Sequence, residues 1–165
     1  LGFNFPYREK GRKTPDREPL LEATVRSAVD FLRNHETLKP GRLLMGGRSM
    51  GGRMCSMAVA EGLGAAGLVL VSYPLHPPKR PDRLRTEHFP AIDVPCLFVS
   101  GTRDTFAAPD ELMSWTATIP APVEHVWIEG KGHDLKGVDS VVAMAVADWV
   151  KRLRGGRIAP VSRRR

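Results

Sequence analysis

Residues 43–52, with the sequence Leu43-Leu44-Met45-Gly46-Gly47-Arg48-Ser49-Met50-Gly51-Gly52, decide the fold of this chain. The first three are apolar and predict a short buried strand, and residues 54–60 beyond the segment are compatible with a helix. Between them, Gly47 to Gly51 has the Gly-x-Ser-x-Gly form in which a strand turns sharply into a helix and holds a serine at the turn. The serine there needs strained backbone angles, and small neighbours let strand and helix approach each other. We expect that room to come from Gly46, Gly47, Gly51 and Gly52.

An acid and a histidine each follow a predicted strand further along the chain. Residues 95–100 lead into Gly101-Thr102-Arg103-Asp104, and residues 123–128 lead into Glu129-Gly130-Lys131-Gly132-His133. A Gly-x-Ser-x-Gly pentapeptide alone also arises by chance in a glycine-rich chain. The order Ser49, Asp104, His133, with the acid and the base at strand ends, is specific to one arrangement among the serine hydrolase folds. The three residues are therefore a candidate catalytic triad.

The chemistry of acyl transfer explains why these residue types are needed. A serine hydroxyl is a weak nucleophile near neutral pH, and a neutral imidazole within hydrogen-bond reach accepts its proton during attack. A carboxylate on the other side of the ring fixes the tautomer and stabilises the imidazolium. We assign Ser49 as the nucleophile, His133 as general base and acid, and Asp104 as the orienting carboxylate. The backbone N–H of Met50, which follows the nucleophile, is an expected oxyanion donor.

Plainer interpretations of these residues stay open at this point. Asp104 could serve only as a turn former, and His133 could be a solvated loop residue. Asp93 and Asp110 are rival acids, but the first precedes its strand and the second is placed to start a helix. The other histidines are less well placed, since they lie near a helix end, within a strand or in a proline-rich loop: His35, His125, His76 and His88.

Length and composition fit one globular domain. A chain of 165 residues with 42% hydrophobic content can bury a core of its own. It has no apolar stretch of 18 residues and no visible secretory signal, so we expect a cytoplasmic protein without a membrane partner, although its first residue is Leu1 and not methionine. Cys55 and Cys96 make no disulfide framework and are expected to be small buried apolar residues. No zinc-binding spacing or phosphate-binding loop occurs, so we expect no metal and no cofactor.

The basic charge is concentrated at the end of the chain. The net charge is +7, and from Lys151 onward seven basic residues occur without an acid, so that residues 1–150 are formally balanced. Such a tail is typically solvated, and no aromatic residues are interleaved with it for stacking on bases. We expect no nucleic-acid partner, with contact to another anionic partner as the open alternative. The expected organisation is a domain over residues 1–153 and a basic tail over residues 154–165.

Strands alternate with helices along the chain, which predicts an α/β fold with a doubly wound, mostly parallel sheet. Residues 67–73 are apolar throughout, as in a strand covered on both faces. Pro19 can open a helix, and apolar residues recur behind it at helical spacing up to Leu32. The remaining predicted elements are a strand ending over Gly2–Phe5 and helices over residues 109–119 and 138–153.

Residues 74–94 form a proline-rich, irregular connection between two predicted strands. In open parallel sheets, ligands bind at the carboxyl ends of the strands, which is where this connection begins. We therefore expect it to line the substrate site, with Tyr73, Leu75 and His76 as the leading candidates. Arg48 is a further candidate for contact with substrate, and together with Arg53 it could attract an anionic one. Both arginines could equally be structural or solvated.

Five stretches in combination resemble a known family: Asn4–Tyr7, Gly46–Arg53, Tyr73–Pro78, Gly101–Asp104 and His133–Lys136. The chain resembles bacterial members of the α/β-hydrolase superfamily. More narrowly, it is similar to the dienelactone-hydrolase-like group of predicted hydrolases, which includes domains of mammalian testis-expressed and chromatin-complex proteins. The resemblance implies the α/β-hydrolase fold and gives the triad roles to Ser49, Asp104 and His133.

The resemblance also implies that part of the family's domain precedes Leu1. Family members carry, before the stretch that matches Asn4–Tyr7, a strand followed by a His-Gly turn that supplies a second oxyanion N–H. That βα unit, roughly 30 residues, is expected to belong to a longer natural protein of which this chain is an N-terminally truncated form. In the family's sheet the strand lies between the one ending at Phe5 and the one ending at the elbow. Its absence would leave two central strands with open edges.

The first functional hypothesis is a serine hydrolase that cleaves a carboxylic ester or related small acyl substrate through an acyl-enzyme intermediate. The alternative is a non-catalytic interaction module that keeps the same fold, which three intact triad residues disfavour. Dienelactone hydrolysis is a third hypothesis. By resemblance it would use a cysteine nucleophile, and Ser49 stands at that position here.

Overall fold

The computed structural model describes residues 1–38, 40–77 and 79–158. Within them, four strands form one parallel sheet, in which they are paired in the order of the chain. The strands are β1 (Leu44–Arg48), β2 (Gly67–Val71), β3 (Cys96–Gly101) and β4 (Val123–Ile128). The helices are α1 (Pro6–Glu9), α2 (Glu18–Asn34), α3 (Met50–Ala60), α4 (Pro109–Thr116) and α5 (Asp139–Arg154), with a 3₁₀ turn over Phe89–Ala91. The predicted doubly wound α/β fold is confirmed.

The parallel register brings the carboxyl ends of the strands to one edge of the sheet. Leu44 pairs with Gly67, Leu68 with Cys96, and Cys96 with Val123. Because all strands run the same way, the residues that follow β1, β3 and β4 meet at this edge. The candidate nucleophile, acid and base are three such residues.

Alternating side chains of the strands build a core on each face of the sheet. One face packs against α2, α3 and α4 through fully buried residues that include Leu68, Leu70, Cys96, Phe98 and Leu112. The other face packs against α5 through Leu97, Val99, Trp149 and Leu153. Burying one such side chain stabilises the fold by roughly 1.5–3 kcal/mol relative to leaving it exposed. The two faces together hold the sheet edge in place beneath the candidate site.

Helix α2 follows the predicted apolar spacing. Leu21, Val25 and Val29 are its buried residues, at intervals of four that keep them on one face. Pro19 stands in the first turn, where its missing N–H removes no helical hydrogen bond. The packing of this face on α3 fixes the helix that starts at the elbow.

Strand β1 lies at the edge of the sheet, because it pairs with β2 and with no other strand of the described residues. The prediction that Gly2–Phe5 ends a strand is wrong. This segment is irregular and leads into the short helix α1, which Pro6 begins. An extended segment becomes a strand only where neighbours take up its N–H and C=O groups, and no described strand pairs with this one.

The last described residues pack on the α5 side. Helix α5 ends at Arg154, and Ile158 is buried in the core that contains Trp149 and Leu153. Residues 159–165, which carry the last arginines of the predicted basic tail, lie outside the described residues. None of the helices in the described ranges is both long and apolar enough to cross a membrane.

Candidate active site

Ser49 occupies a strained turn between β1 and α3. Its backbone has φ 51° and ψ −121°, a left-handed conformation that costs a non-glycine residue about 1–3 kcal/mol. Its N–H donates to the carbonyl oxygen of Val71 at 2.8 Å, which ties the turn to the end of β2. The local sequence thus folds as a strand, a sharp turn and a helix, with the serine at the turn.

The turn depends on Gly47 and Gly52, whereas the glycines that frame the pentapeptide are Gly47 and Gly51. A Cβ atom on Gly47 would lie 2.7 Å from the carbonyl carbon of Gly51, and one on Gly52 would lie 2.7 Å from the carbonyl oxygen of Gly47. Gly46 also has no space for a side chain, because its Cβ would lie 2.4 Å from the carbonyl oxygen of Val69. A Cβ on Gly51 would meet nothing within 4 Å. The expectation that Gly51 is needed for close approach is therefore wrong.

The structure brings Ser49, His133 and Asp104 into one hydrogen-bonded chain. The Ser49 Oγ lies 2.8 Å from Nε2 of His133. On the other side of the ring, Nδ1 lies 2.9 Å from Oδ2 and 3.1 Å from Oδ1 of Asp104. A ring that donates from Nδ1 to the carboxylate keeps Nε2 free to accept the hydroxyl proton of the serine. This geometry suits nucleophilic attack assisted by a general base.

Asp104 is held as an acceptor in the loop after β3. It is 4% exposed, and its Oδ1 accepts a hydrogen bond of 2.9 Å from the backbone N–H of Phe106. The pattern of an aspartate that accepts from the N–H two residues later is an Asx turn. The rival acids lie elsewhere, with Asp110 in the first turn of α4 and Asp93 ahead of β3.

Two hydrogen bonds join the loops that carry Asp104 and His133, one between backbones and one from a backbone N–H to a side chain. The N–H of Arg103 donates to the carbonyl oxygen of Lys131 at 2.8 Å, and the N–H of Gly130 donates to Oγ1 of Thr102 at 2.9 Å. A Cβ atom on Gly101 would lie 2.1 Å from the carbonyl oxygen of Lys131, so only glycine fits there. The distance between acid and base is thus set by main-chain contacts as well as by their side chains.

Two contacts on His133 were not predicted from the sequence. The ring of Phe106 lies 4.2 Å from the imidazole, centroid to centroid, at an angle of 31°. The Nη2 of Arg48 donates to the backbone carbonyl oxygen of His133 at 3.2 Å.

A cavity of about 540 Å³ opens beside the nucleophile. Its lining combines seven of the first eight residues with the elbow, including Tyr7, Arg8, Arg48, Ser49 and Met50. Met50 is the first residue of α3, so helical hydrogen bonding leaves its N–H unused. The site therefore offers an N–H donor next to the serine hydroxyl. Within the described residues, no group of three or more His, Cys, Asp or Glu side chains is placed to hold a metal ion.

The structure contradicts the prediction that Tyr73 and Leu75 contact substrate. Both are fully buried, and the Tyr73 hydroxyl donates to the carbonyl oxygen of Arg85 at 2.8 Å. His76 is 7% exposed and faces Glu111, with Nε2 at 3.8 Å from the carboxylate. None of the described residues of the 74–94 connection lines the cavity, and its apolar residues such as Phe89 and Ile92 are fully buried in the core.

A second serine–histidine contact lies inside the protein. Oγ of Ser56 is 2.8 Å from Nε2 of His88, and Ser56 is fully buried. Burial, together with the nearby Arg53 guanidinium, lowers the pKa of His88 from 6.5 to about 4. Since Ser56 Oγ donates to the carbonyl oxygen of Arg53, the neutral ring must supply the proton of the Ser56–His88 bond. This pair joins the connection to α3 and has no access to substrate.

The remaining histidines and both cysteines have structural surroundings. His125 lies in β4 and contacts Thr116, and its pKa is lowered by burial. His35 accepts a hydrogen bond from the N–H of Thr37 at the end of α2. Burial raises the pKa of Cys55 to about 11 and that of Cys96 to about 12. Both thiols are buried, as predicted, and are poor nucleophiles in these positions.

Comparison with known proteins places this geometry in context. Residues 1–147 match a family described as an alpha/beta hydrolase domain. The YfhR protein of Salmonella typhimurium is 38% identical over 68 residues, which are 40% of this chain and 23% of YfhR. Among solved structures, ATU1826 of Agrobacterium tumefaciens, a protein of unknown function, superposes with a TM-score of 0.77 at 16% identity, over 96% of this chain and 72% of that one.

Two further solved structures have the same fold. Est1E from Butyrivibrio proteoclasticus superposes with a TM-score of 0.70 at 14% identity, over 85% of this chain and 72% of Est1E. A serine hydrolase homologue from Coxiella burnetii gives a TM-score of 0.64 at 19% identity, over 83% of this chain and 62% of that protein. The chain thus spans about a quarter of YfhR and less than two thirds of the Coxiella protein.

Proposed function

The chain belongs to the alpha/beta hydrolase domain family, and on that premise we propose that it is a serine hydrolase that cleaves a carboxylic ester or related small acyl substrate. The observation that carries the proposal is the continuous contact from Ser49 Oγ through the His133 ring to the Asp104 carboxylate, with distances of 2.8 and 2.9 Å. A solved neighbour named a serine hydrolase homologue and another named an esterase, from Pyrococcus furiosus, support the same class of activity.

The proposed reaction begins with attack by Ser49 on the acyl carbon. Nε2 of His133 accepts the hydroxyl proton as the Oγ–carbon bond forms, and Asp104 stabilises the imidazolium through Nδ1–H. The N–H of Met50 stabilises the negative charge that develops on the acyl oxygen. His133 then returns the proton to the leaving alcohol, and the acyl group stays on Ser49.

Deacylation in this proposal uses the same base. A water molecule loses its proton to Nε2 of His133 as its oxygen attacks the acyl-enzyme, and the proton passes to Ser49 when the acid leaves. Every proton transfer in the cycle passes through one imidazole nitrogen. Besides His133, no titratable group takes up a proton in this cycle, and Asp104 acts as the orienting carboxylate.

Labelling with a fluorophosphonate probe tests the proposal on the 165-residue chain. We expect wild-type protein to be modified on Ser49, and Ser49→Ala to remain unmodified. Ser56→Ala is a matched control, because Ser56 also lies 2.8 Å from a histidine nitrogen but is fully buried. It should label like the wild type. A folded chain that fails to react with the probe would contradict the proposal and favour a non-catalytic interaction module.

A further inference from the structure

Arg48 directly precedes the candidate nucleophile and contacts the loop of the candidate base. Its Nη2 donates to the backbone carbonyl oxygen of His133 at 3.2 Å, across 85 positions of sequence. No carboxylate of the described residues lies within ion-pair distance of Arg48. Arg53, one turn further along, is by contrast paired with Glu18 at 2.7 Å. The guanidinium of Arg48 is therefore committed to a main-chain acceptor at the site.

Other contacts anchor the loop that carries His133 on both sides of that residue. Residues 129–138 are irregular, and their backbone is bonded to the loop after β3 through Arg103 and Thr102. On the far side of His133, the loop is secured by Leu135, which is 3% exposed and packs in the α5 core. Within the described residues, Arg48 supplies the hydrogen bond that joins the backbone of this loop to the elbow.

We propose that Arg48 is a positioning residue for the proposed hydrolase reaction: it holds the backbone of His133 at the separation from Ser49 that proton transfer requires. This role rests on the proposed function. The bond reaches the backbone of His133 from Arg48, which directly precedes Ser49 in the chain. A displacement of about 1 Å in such a pair can cost about 10²-fold in rate. A guanidinium suits the task, because it is long, planar and charged at every working pH.

A purely electrostatic role gives a different expectation. A cation close to the imidazole disfavours the imidazolium, so its loss would move the acid limb of the rate profile to higher pH and leave the plateau unchanged. If Arg48 has a positioning role, its loss lowers the plateau rate and leaves the acid limb of the pH–rate profile at the same pH. The two roles are therefore separated by a pH profile.

The kinetic test compares Arg48→Met with Arg48→Lys on p-nitrophenyl acetate and on the fluorophosphonate probe. We expect Arg48→Met to lower kcat and the labelling rate about tenfold, with KM within about twofold and the acid limb unmoved. Arg48→Lys keeps a donor and should recover part of the loss. The proposal would be overturned if Arg48→Met kept rates within about twofold of wild type. It would also be overturned if the acid limb of its pH–rate profile shifted while the plateau rate stayed intact.

Arg42→Met is the matched control. Arg42 precedes β1 at the opposite end of the strand, is exposed, and has no ion-pair partner among the described residues. The substitution removes the same charge from the segment that leads into β1. It should leave rates unchanged, and thermal unfolding of all three variants checks that each is folded.

A second measurement does not depend on turnover. The proton shared by Nδ1 of His133 and Asp104 gives a downfield proton resonance that exchanges slowly only while the pair is held, and its loss in Asp104→Asn assigns it. We expect the signal in wild type and in Arg42→Met, and its broadening or loss in Arg48→Met. An unchanged signal in Arg48→Met, or no signal in wild type, would contradict the positioning role. Absence of Ser49-dependent labelling in wild type would instead contradict the proposed activity.

Discussion

Gly47 and Gly52 meet backbone to backbone beneath the nucleophile. A Cβ atom on Gly47 would lie 2.8 Å from the amide nitrogen of Gly52, and one on Gly52 would lie 2.7 Å from the carbonyl oxygen of Gly47. This contact fixes the angle at which β1 enters α3. The direction in which Ser49 presents its hydroxyl depends on that angle.

Gly47→Ala and Gly51→Ala are expected to have different effects on the free energy of unfolding. Gly47→Ala forces backbone atoms apart and should lower the free energy of unfolding by about 1–3 kcal/mol. Gly51→Ala places its Cβ in open space within a helix, and should leave that free energy unchanged or raise it by up to about 1 kcal/mol. Urea denaturation of both variants measures the difference. Equal destabilisation would show that the contact between Gly47 and Gly52 does not limit the turn.

Asp104→Asn should abolish most of the proposed activity while the protein stays folded. An amide in place of the carboxylate no longer fixes the tautomer in which Nε2 accepts, and the analogous loss in a known triad is about 10⁴-fold in kcat. The measurement is the rate of p-nitrophenyl acetate hydrolysis. Asp110→Asn is the control, since this rival acid lies in the first turn of α4. If Asp110→Asn lost more hydrolysis rate than Asp104→Asn, the orienting carboxylate would be Asp110 and not Asp104.

Phe106→Ala should slow the proposed reaction about tenfold. The variant keeps the backbone N–H that donates to Asp104 but removes the ring that lies 4.2 Å from the imidazole, so His133 gains freedom to tilt. Phe106→Tyr keeps the ring and should behave like the wild type. Fluorophosphonate labelling rates report the effect. A Phe106→Ala variant that labels as fast as Phe106→Tyr would show that the ring has no share in orienting the base.

His88→Gln should reduce the acid sensitivity of the fold. The pKa of His88 is about 4 in the folded protein and 6.5 for the free side chain, so folding favours the neutral ring. This contribution is complete above pH 6.5 and is lost as the pH falls towards 4, because the unfolded chain binds the proton first. We expect wild type to lose between about 1 and 2 kcal/mol from this group between pH 7 and 5.

Urea midpoints at these two pH values test that expectation. Glutamine can still donate to Ser56 but does not titrate, so the pH-dependent difference should shrink in the variant. His125 contributes in the same direction in both proteins, since burial also lowers its pKa. An identical pH dependence in wild type and His88→Gln would mean that the buried ring is not neutral in the fold.

Sequence patterns were sufficient for the elements that depend on local spacing. The elbow follows from an apolar strand, a glycine-rich turn and a helix, and the buried face of α2 follows from the four-residue interval between Leu21, Val25 and Val29. The order Ser49, Asp104, His133 with strand ends before the last two was enough to bring the three together, since parallel strands deliver their carboxyl ends to one edge.

Other features depend on contacts that local patterns do not encode. Gly2–Phe5 has strand-like residues, yet no described strand pairs with it. Tyr73 and Leu75 follow a strand at the ligand-binding edge, but the apolar residues of the connection draw them into the core. The bond from Arg48 to the carbonyl of His133 joins two segments that are distant in sequence, and no periodicity indicates it.

The backbone contact between Gly101 and Lys131 also bears on how such a protein can change over evolutionary time. With the added Cβ only 2.1 Å from the carbonyl oxygen, the turns after β3 and β4 cannot lengthen independently, because an insertion in either would separate acid from base. In the connection between β2 and β3, residues 79–83 are exposed, and their described backbone hydrogen bonds, from Arg80 to Pro77 and from Arg83 to Arg80, stay within the connection. New recognition segments, cap-like insertions and grafted loops are therefore best tolerated there, where length can vary without changing the separation of acid and base.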